Sequence, residues 1–183
     1  MLAAAAAQPD RLVVGVDANA AGIMTASRRA AAKPSRGGLP NALFVVAAAE
    51  ALPAELEGVA DLVTVHFPWG SLLRGLLGAD QATMTSQTRV LRPGATLQML
   101  VSSTVRDRGA GVPPIQAGTL HALAASYTTW GLAVTHMRPA TVADVAHSSW
   151  GKRLGAGTRR PTWLLQARLA APSWRHAPTG SST

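Results

Sequence analysis

The chain has 183 residues, enough for one domain with a sizeable core. Hydrophobic residues make up 48% and charged ones 14%, which argues against a disordered chain, and zero cysteines exclude disulfides, thiolate metal sites and a cysteine nucleophile. Seventeen Lys and Arg against nine Asp and Glu give a formal net charge of +8, a balance that favours a polyanionic partner but that an arginine-rich, high-GC genome also produces.

The opening Met1-Leu2-Ala3 stretch lacks the basic and bulky apolar regions of a signal peptide, and no apolar run approaches the roughly 18–20 residues of a membrane span, so a cytoplasmic protein is expected. Leu12 to Val16 is a short β-branched run ending at Asp17 and reads as a buried strand. A helix follows over Ala20 to Ala32, closed by Lys33-Pro34 and Gly37-Gly38. Leu43 to Val46 is a second strand, followed by Ala47 to Glu50 and a turn at Pro53; Asp61 to Phe67 is a third, interrupted at Pro68. Gly70 to Leu77 and Gln81 to Val90 are predicted helices, the second ended by Pro93-Gly94. A strand over Ala95 to Val101, a helix over Gly118 to Trp130 and a strand over Leu132 to His136 come next. Thr141 to His147 is a helix capped by Thr141 with Asp144 three residues on, and Thr162 to Ala167 is the last strand. Residues 1–170 read as one domain and 171–183 as a tail with little fixed structure. Alternating strands and helices predict an α/β domain with a mostly parallel sheet and an antiparallel pair at one edge.

In such sheets ligands bind outside the carboxyl ends of the strands, which singles out Asp17, Glu50 and Pro68-Trp69. Asp17 is placed to accept hydrogen bonds from ribose hydroxyls, although Asp is also an ordinary helix cap. Glu50 could accept from an exocyclic amine or a backbone amide, although taken alone a solvated turn carboxylate is the better account. Phe67-Pro68-Trp69-Gly70 sets a rigid aromatic face on a tightly specified loop; the competing role for Trp69 is packing under the sheet. Ser148-Ser149-Trp150-Gly151-Lys152-Arg153 again puts a tryptophan beside cations, a pattern suited to an unstacked base next to phosphates. Together Trp69 and Trp150 could sandwich one flipped base. Basic residues concentrate at Arg28, Arg29, Lys33 and Arg36, at Arg106 and Arg108, and at Lys152, Arg153, Arg159 and Arg160. A run of like charge is usually a solvated face, but the coincidence with Trp150 favours phosphate contact for the last group. No Cys/His metal spacing, GxSxG elbow, Walker loop or GxGxxG occurs. His66 reads as a strand histidine, not a base.

At these residues the sequence resembles the aminoglycoside-resistance 16S rRNA methyltransferases that modify N1 of adenine 1408, the kanamycin–apramycin resistance type. The matching segments are RLVVGVDAN (11–19), AAKPSRGGLPNALFVVAAAEALP (31–53), FPWGSLLRG (67–75) and SSWGKRL (148–154). The match runs from residue 11 to about 168 and is weakest over 102–118, where the family carries a variable RNA-facing linker.

The resemblance implies a Rossmann-like class I methyltransferase sheet and S-adenosylmethionine as cofactor. It implies that Asp17 binds the cofactor ribose, that Ala49 and Glu50 frame its adenine, and that Ser148 lies near its methionine end. Trp69 and Trp150 would stack on the target adenine, and Arg28, Arg29, Lys33, Arg36, Arg153 and Arg160 would hold the backbone of 16S rRNA within the 30S subunit. Thr158 stands where the family has a basic residue. The reaction implied is attack of the adenine N1 lone pair on the sulfonium methyl, with positioning doing most of the catalysis and the Pro68 carbonyl free to accept from N6. A monomer without metal is expected.

Family members carry a first strand and an acidic Gly-rich loop ahead of the segment matched here, and Met1 to Pro9 resembles the end of the helix after that loop. The sheet is therefore expected to lack its first strand and Gly-rich loop, and the chain to bind cofactor poorly. The alternative is a non-catalytic RNA-binding remnant of such an enzyme. A nicotinamide-dependent oxidoreductase also accommodates LVVGVD, but it leaves FPWG and SSWGKR unexplained.

Overall fold

The computed structural model of the chain describes residues 1–103, 107, 109, 112, 114–146, 148, 151, 154–156 and 160–171. Its elements are α1 (Leu2–Ala7), β1 (Val13–Asp17), α2 (Ala20–Ala30), β2 (Ala42–Val46), β3 (Ala60–His66), α3 (Gly70–Gly78), α4 (Gln81–Val90), β4 (Leu91–Val101), α5 (Ala117–Thr128), β5 (Leu132–Pro139), α6 (Val142–Val145) and β6 (Trp163–Leu169). Short 3-10 turns cover Pro34–Arg36 and Ala54–Leu56. The expected tail, from residue 172 on, lies outside the described residues. Among the described residues no helix is long and apolar enough to cross a membrane.

The strands form two ladders. β1 and β2 pair in parallel, with Asp17 opposite Val46. The other four strands run in the order β3-β4-β6-β5, with β3 and β4 parallel and β6 antiparallel to both of its neighbours. The expected α/β class and the antiparallel edge are both present. No ladder joins β1 to β3 among the described residues.

β4 is the axis of the larger sheet. Leu97, Met99 and Val101, two apart in sequence, lie on one face in the main core with Leu73, Leu76, Met84, Leu120 and Tyr127 from the helices. Leu100 points to the other face and joins Phe67, Val145, Ala156 and Leu164 in a second cluster. A strand buried on both faces must read as a continuous apolar run, and the MLV of positions 99–101 does so. Each such side chain contributes about 1.5–3 kcal/mol on burial. α3 and α4 cover the first face with Leu73, Leu76 and Leu77, at helical spacing, and with Met84.

Several boundaries differ from those read off the sequence. α2 stops at Ala30 because Lys33, which precedes Pro34, is extended at φ −58°, ψ 141°, and Leu39 N–H donates back to the Ala30 carbonyl. α5 ends at Thr128, where Trp130 and Gly131 continue only as turns on Tyr127 and Thr128. β4 begins at Leu91 and runs through Pro93-Gly94, the interruption appearing instead as a register shift against β3. β5 continues to Pro139 because its pairing with β6 extends to Trp163. The predicted cap of the short helix is present: the Thr141 hydroxyl accepts from Asp144 N–H while the Asp144 carboxylate accepts from Thr141 N–H.

Tyr127 ties α5 across the core, donating its hydroxyl to the Leu76 carbonyl at 3.0 Å. Burial holds its phenol well above the ordinary tyrosine value. The folded state therefore disfavours the phenolate, so the stability Tyr127 contributes is intact below about pH 10 and is lost as pH rises beyond it. Tyr127→Phe should cost about 1 kcal/mol at neutral pH. It should also flatten the alkaline fall in melting temperature, read by calorimetry between about pH 8 and 11.

Candidate active site

The parallel ladders bring the strand ends together as the sequence order requires. β3 and β4 end level, with His66 opposite Leu100, and the residues after them form the exit turn Phe67-Pro68-Trp69-Gly70 and Ser102. Antiparallel β6 begins at this same end, with Trp163 opposite Val101, so the segment preceding it, including Arg160, arrives beside the exit turn. β5 also ends here, with Pro139 opposite Trp163.

The exit turn is strained and anchored. Phe67 adopts φ +53°, a left-handed conformation that a bulky side chain avoids, and Gly70 follows at φ +62°. The Phe67 N–H donates to the Leu100 carbonyl at 2.8 Å, and its ring is buried in the second core cluster. A Cβ at Gly151 would lie 2.8 Å from Phe67 Cε2 and 3.0 Å from Cζ, so only glycine fits against that ring at this position. Ser148 is buried, and its hydroxyl accepts from Gly151 N–H at 3.0 Å, which ties Gly151 to it. With Phe67 and Pro68 held inside, Trp69 is turned out and remains 78% exposed. Trp69 therefore does not pack under the sheet.

Beside Trp69 lies a cavity of about 230 Å³, lined by Phe67, Pro68, Trp69, Ser102, Asp107, Leu154 and Arg160. Its walls are mixed, apolar from Phe67, Pro68 and Leu154 and polar from the rest. Arg160 Nη2 stands 3.9 Å from Asp107 Oδ2, at the limit of an ion pair. Arg160 therefore faces this cavity, while Arg28, Arg29, Lys33 and Arg36 are exposed around the end of α2 and the following turn and carry no ion pair among the described residues. Trp150, Lys152 and Arg153 lie outside the described residues, as do Arg106, Arg108, Thr158 and Arg159. His66 keeps solvent contact, but crowding by surrounding protein holds its imidazole below the ordinary histidine value and the N-terminal ammonium adds to this, so it is mostly neutral at pH 7.

Asp17 is exposed at the end of β1, and its Oδ1 accepts from Asn19 N–H at 2.8 Å. The segment after β2 is fastened to α4: Gln87 Nε2 donates to the Ala49 carbonyl at 2.8 Å, Leu52 N–H donates to Ser86 Oγ at 3.1 Å, and Arg89 Nη2 donates to the Leu52 carbonyl. Glu50 is half-buried and lines a second, open cavity of about 720 Å³ between this segment and the start of α4. Reading the sequence singled out none of Ser86, Gln87, Arg89, Ser102 or Asp107. The signal available was the buried helical stripe Thr83, Ser86, Gln87 and Val90, whose polar members need partners once inside.

A family model described as 16S rRNA (adenine(1408)-N(1))-methyltransferase matches residues 1–169. A protein of that name from Streptoalloteichus tenebrarius is 38% identical over 160 residues, which span 83% of this chain and 73% of the relative. Among solved structures, a variant of a 16S rRNA (adenine(1408)-N(1))-methyltransferase from Catenulisporales acidiphilia, with cosubstrate SAM, superposes with a TM-score of 0.83 at 32% identity, covering 94% of this chain and 81% of that one. The antibiotic-resistance methyltransferase Kmr superposes with a TM-score of 0.79 at 35% identity, covering 94% and 82%.

Gly151→Ala tests the anchoring of the exit turn. Forcing a methyl against the Phe67 ring should cost about 1–3 kcal/mol, a fall of roughly 2–10 °C in melting temperature by calorimetry. An unchanged melting temperature would show that the turn closes without that contact.

Proposed function

The chain belongs to the 16S rRNA (adenine(1408)-N(1))-methyltransferase family, and on that premise we propose its reaction: methylation, from S-adenosylmethionine, of N1 of an adenine in the decoding site of 16S rRNA. Its substrate is the rRNA assembled in the 30S subunit. The protein acts in the cytoplasm, as a monomer and without a metal, and the methyl it adds gives aminoglycoside resistance. The observation that carries this reading is Trp69, an exposed aromatic face on a strained, anchored turn beside a cavity at the carboxyl ends of β3 and β4. A face so presented stacks an unpaired base, worth about 1–3 kcal/mol per base.

S-adenosylmethionine supplies, when bound, an electrophilic methyl on a sulfonium centre. The residues present fit its adenosine part. Asp17 Oδ2 accepts no hydrogen bond among the described residues and is available to a ribose hydroxyl, and neither Glu50 oxygen is engaged among them. Ala49 and Glu50 frame the adenine on a segment that Gln87, Ser86 and Arg89 hold in place. Ser148 stands at the methionine end.

Adenine N1 carries a lone pair and no proton at neutral pH, so the protein needs no general base. Its work is to hold the base and exclude water. Trp69 and Trp150 clamp the base between them, and the Pro68 carbonyl accepts from the N6 amine. Arg28, Arg29, Lys33, Arg36, Lys152, Arg153 and Arg160 neutralise backbone phosphates, which makes binding weaken as salt rises.

A second reading, RNA binding without catalysis, draws on one observation. Asp17 belongs to the β1–β2 ladder and Trp69 follows the β3–β4 ladder, and the two are not joined by hydrogen bonds among the described residues. Titration calorimetry with S-adenosylmethionine separates the readings: a folded chain that binds 30S subunits but gives no heat with the cofactor favours the second.

The first reading is tested by incubating 30S subunits with methyl-labelled cofactor and mapping the product by reverse transcription, which halts at an adenine whose pairing edge is methylated. Trp69→Ala and Trp150→Ala should each slow methylation by about tenfold to a hundredfold. Cofactor affinity should stay within about twofold in both variants, as expected for residues that touch only the base. Loss of cofactor affinity together with methylation would overturn the stacking roles.

A further inference from the structure

Among the described residues, three buried side-chain polar atoms have no hydrogen-bond partner: Thr83 Oγ1, Ser102 Oγ and Arg160 Nε. Ser102 and Arg160 line the same cavity, the one beside Trp69, while Thr83 lies in the close contact between α3 and α4, against Gly75. Buried hydroxyls are nearly always paired, and one left without a partner on a cavity wall marks a place where something else supplies the bond. Ser102 is 3% exposed and immediately follows β4, whose last residue is fixed by pairing with Trp163. The strand therefore dictates its position, level with the exit turn of β3.

We propose that the Ser102 hydroxyl contacts the substrate base, hydrogen-bonding the polar edge of the adenine stacked beside Trp69; this rests on the methyltransferase reading above. The cavity's other polar walls, Asp107 and Arg160, are charged, and the remaining lining side chains other than Trp69 are apolar. Ser102 is thus the one neutral group on this wall that both donates and accepts through a single atom. The adenine edge that sets the N6 amine beside N7 offers both complements and leaves the N1 lone pair free to take the methyl. The bond adds to the stacking on Trp69 a constraint that stacking cannot give: it fixes the rotation of the base in its own plane, and with it the direction in which N1 points.

The test compares wild type, Ser102→Ala and Ser102→Cys in three measurements: melting temperature, cofactor affinity by calorimetry, and single-turnover methylation of 30S subunits. Ser102→Ala should melt at or above the wild-type temperature, because it removes a buried hydroxyl that has no partner in the protein alone. It should bind cofactor within about twofold of wild type while methylating about tenfold to a hundredfold more slowly, with Ser102→Cys between the two. A melting temperature that falls along with the rate would make the hydroxyl a structural partner and overturn the proposal. Undiminished methylation by Ser102→Ala, with wild type active, overturns the proposal alone. Absence of methyl transfer by the wild-type chain overturns the methyltransferase reading and this proposal with it.

Discussion

β4 is hydrogen-bonded along both edges, to β3 in parallel and to β6 in antiparallel register, and its side chains are buried on both faces. Its length and alternation set the level at which both neighbouring strands reach the carboxyl end of the sheet. Phe67 leaves β3 one residue past the last paired position and is held by the Leu100 carbonyl. Ser102 follows β4 directly, and Arg160 precedes β6 by three residues. Three segments distant in sequence therefore reach one cavity, and displacing β4 by one residue would exchange its two faces and scatter all three.

The same construction explains why strain is tolerated at Phe67. A left-handed conformation costs of order 1–3 kcal/mol at a non-glycine residue, and it persists only where the surroundings over-determine it. Here the ring is enclosed by Leu100, Val145, Ala156 and Leu164, the amide is bonded, and Gly151 lies against the ring. Interior packing thus supports the outward presentation of the neighbouring tryptophan. The apolar cluster and the exposed aromatic face are two ends of one device.

Much of this was legible in the sequence because local patterns and the global fold agree. The β-branched runs at β1, β2 and β3, the Pro and Gly punctuation, and the Thr141/Asp144 cap specify elements on their own. FPWG announced a rigid aromatic loop, although not that its phenylalanine bears the strain. The misjudged boundaries lie where tertiary pairing overrides a local stop signal, as at Pro93-Gly94, which the sheet absorbs as a register shift. Ser86, Gln87, Arg89, Ser102 and Asp107 were illegible for a different reason. Their residue types are common on surfaces, and only the folded chain shows that each faces a partner or a cavity.

The fastening of Ala49–Leu52 to α4 has a consequence for how binding is shared between enthalpy and order. A free segment after a strand loses conformational entropy when a ligand immobilises it, and that loss subtracts from affinity. Here Gln87, Ser86 and Arg89 have already immobilised it during folding. A ligand meeting Glu50 encounters a wall and not a coil. Replacement of any of the three α4 residues therefore acts at a distance, weakening capture of the ligand by restoring freedom to a segment whose own residues are unchanged.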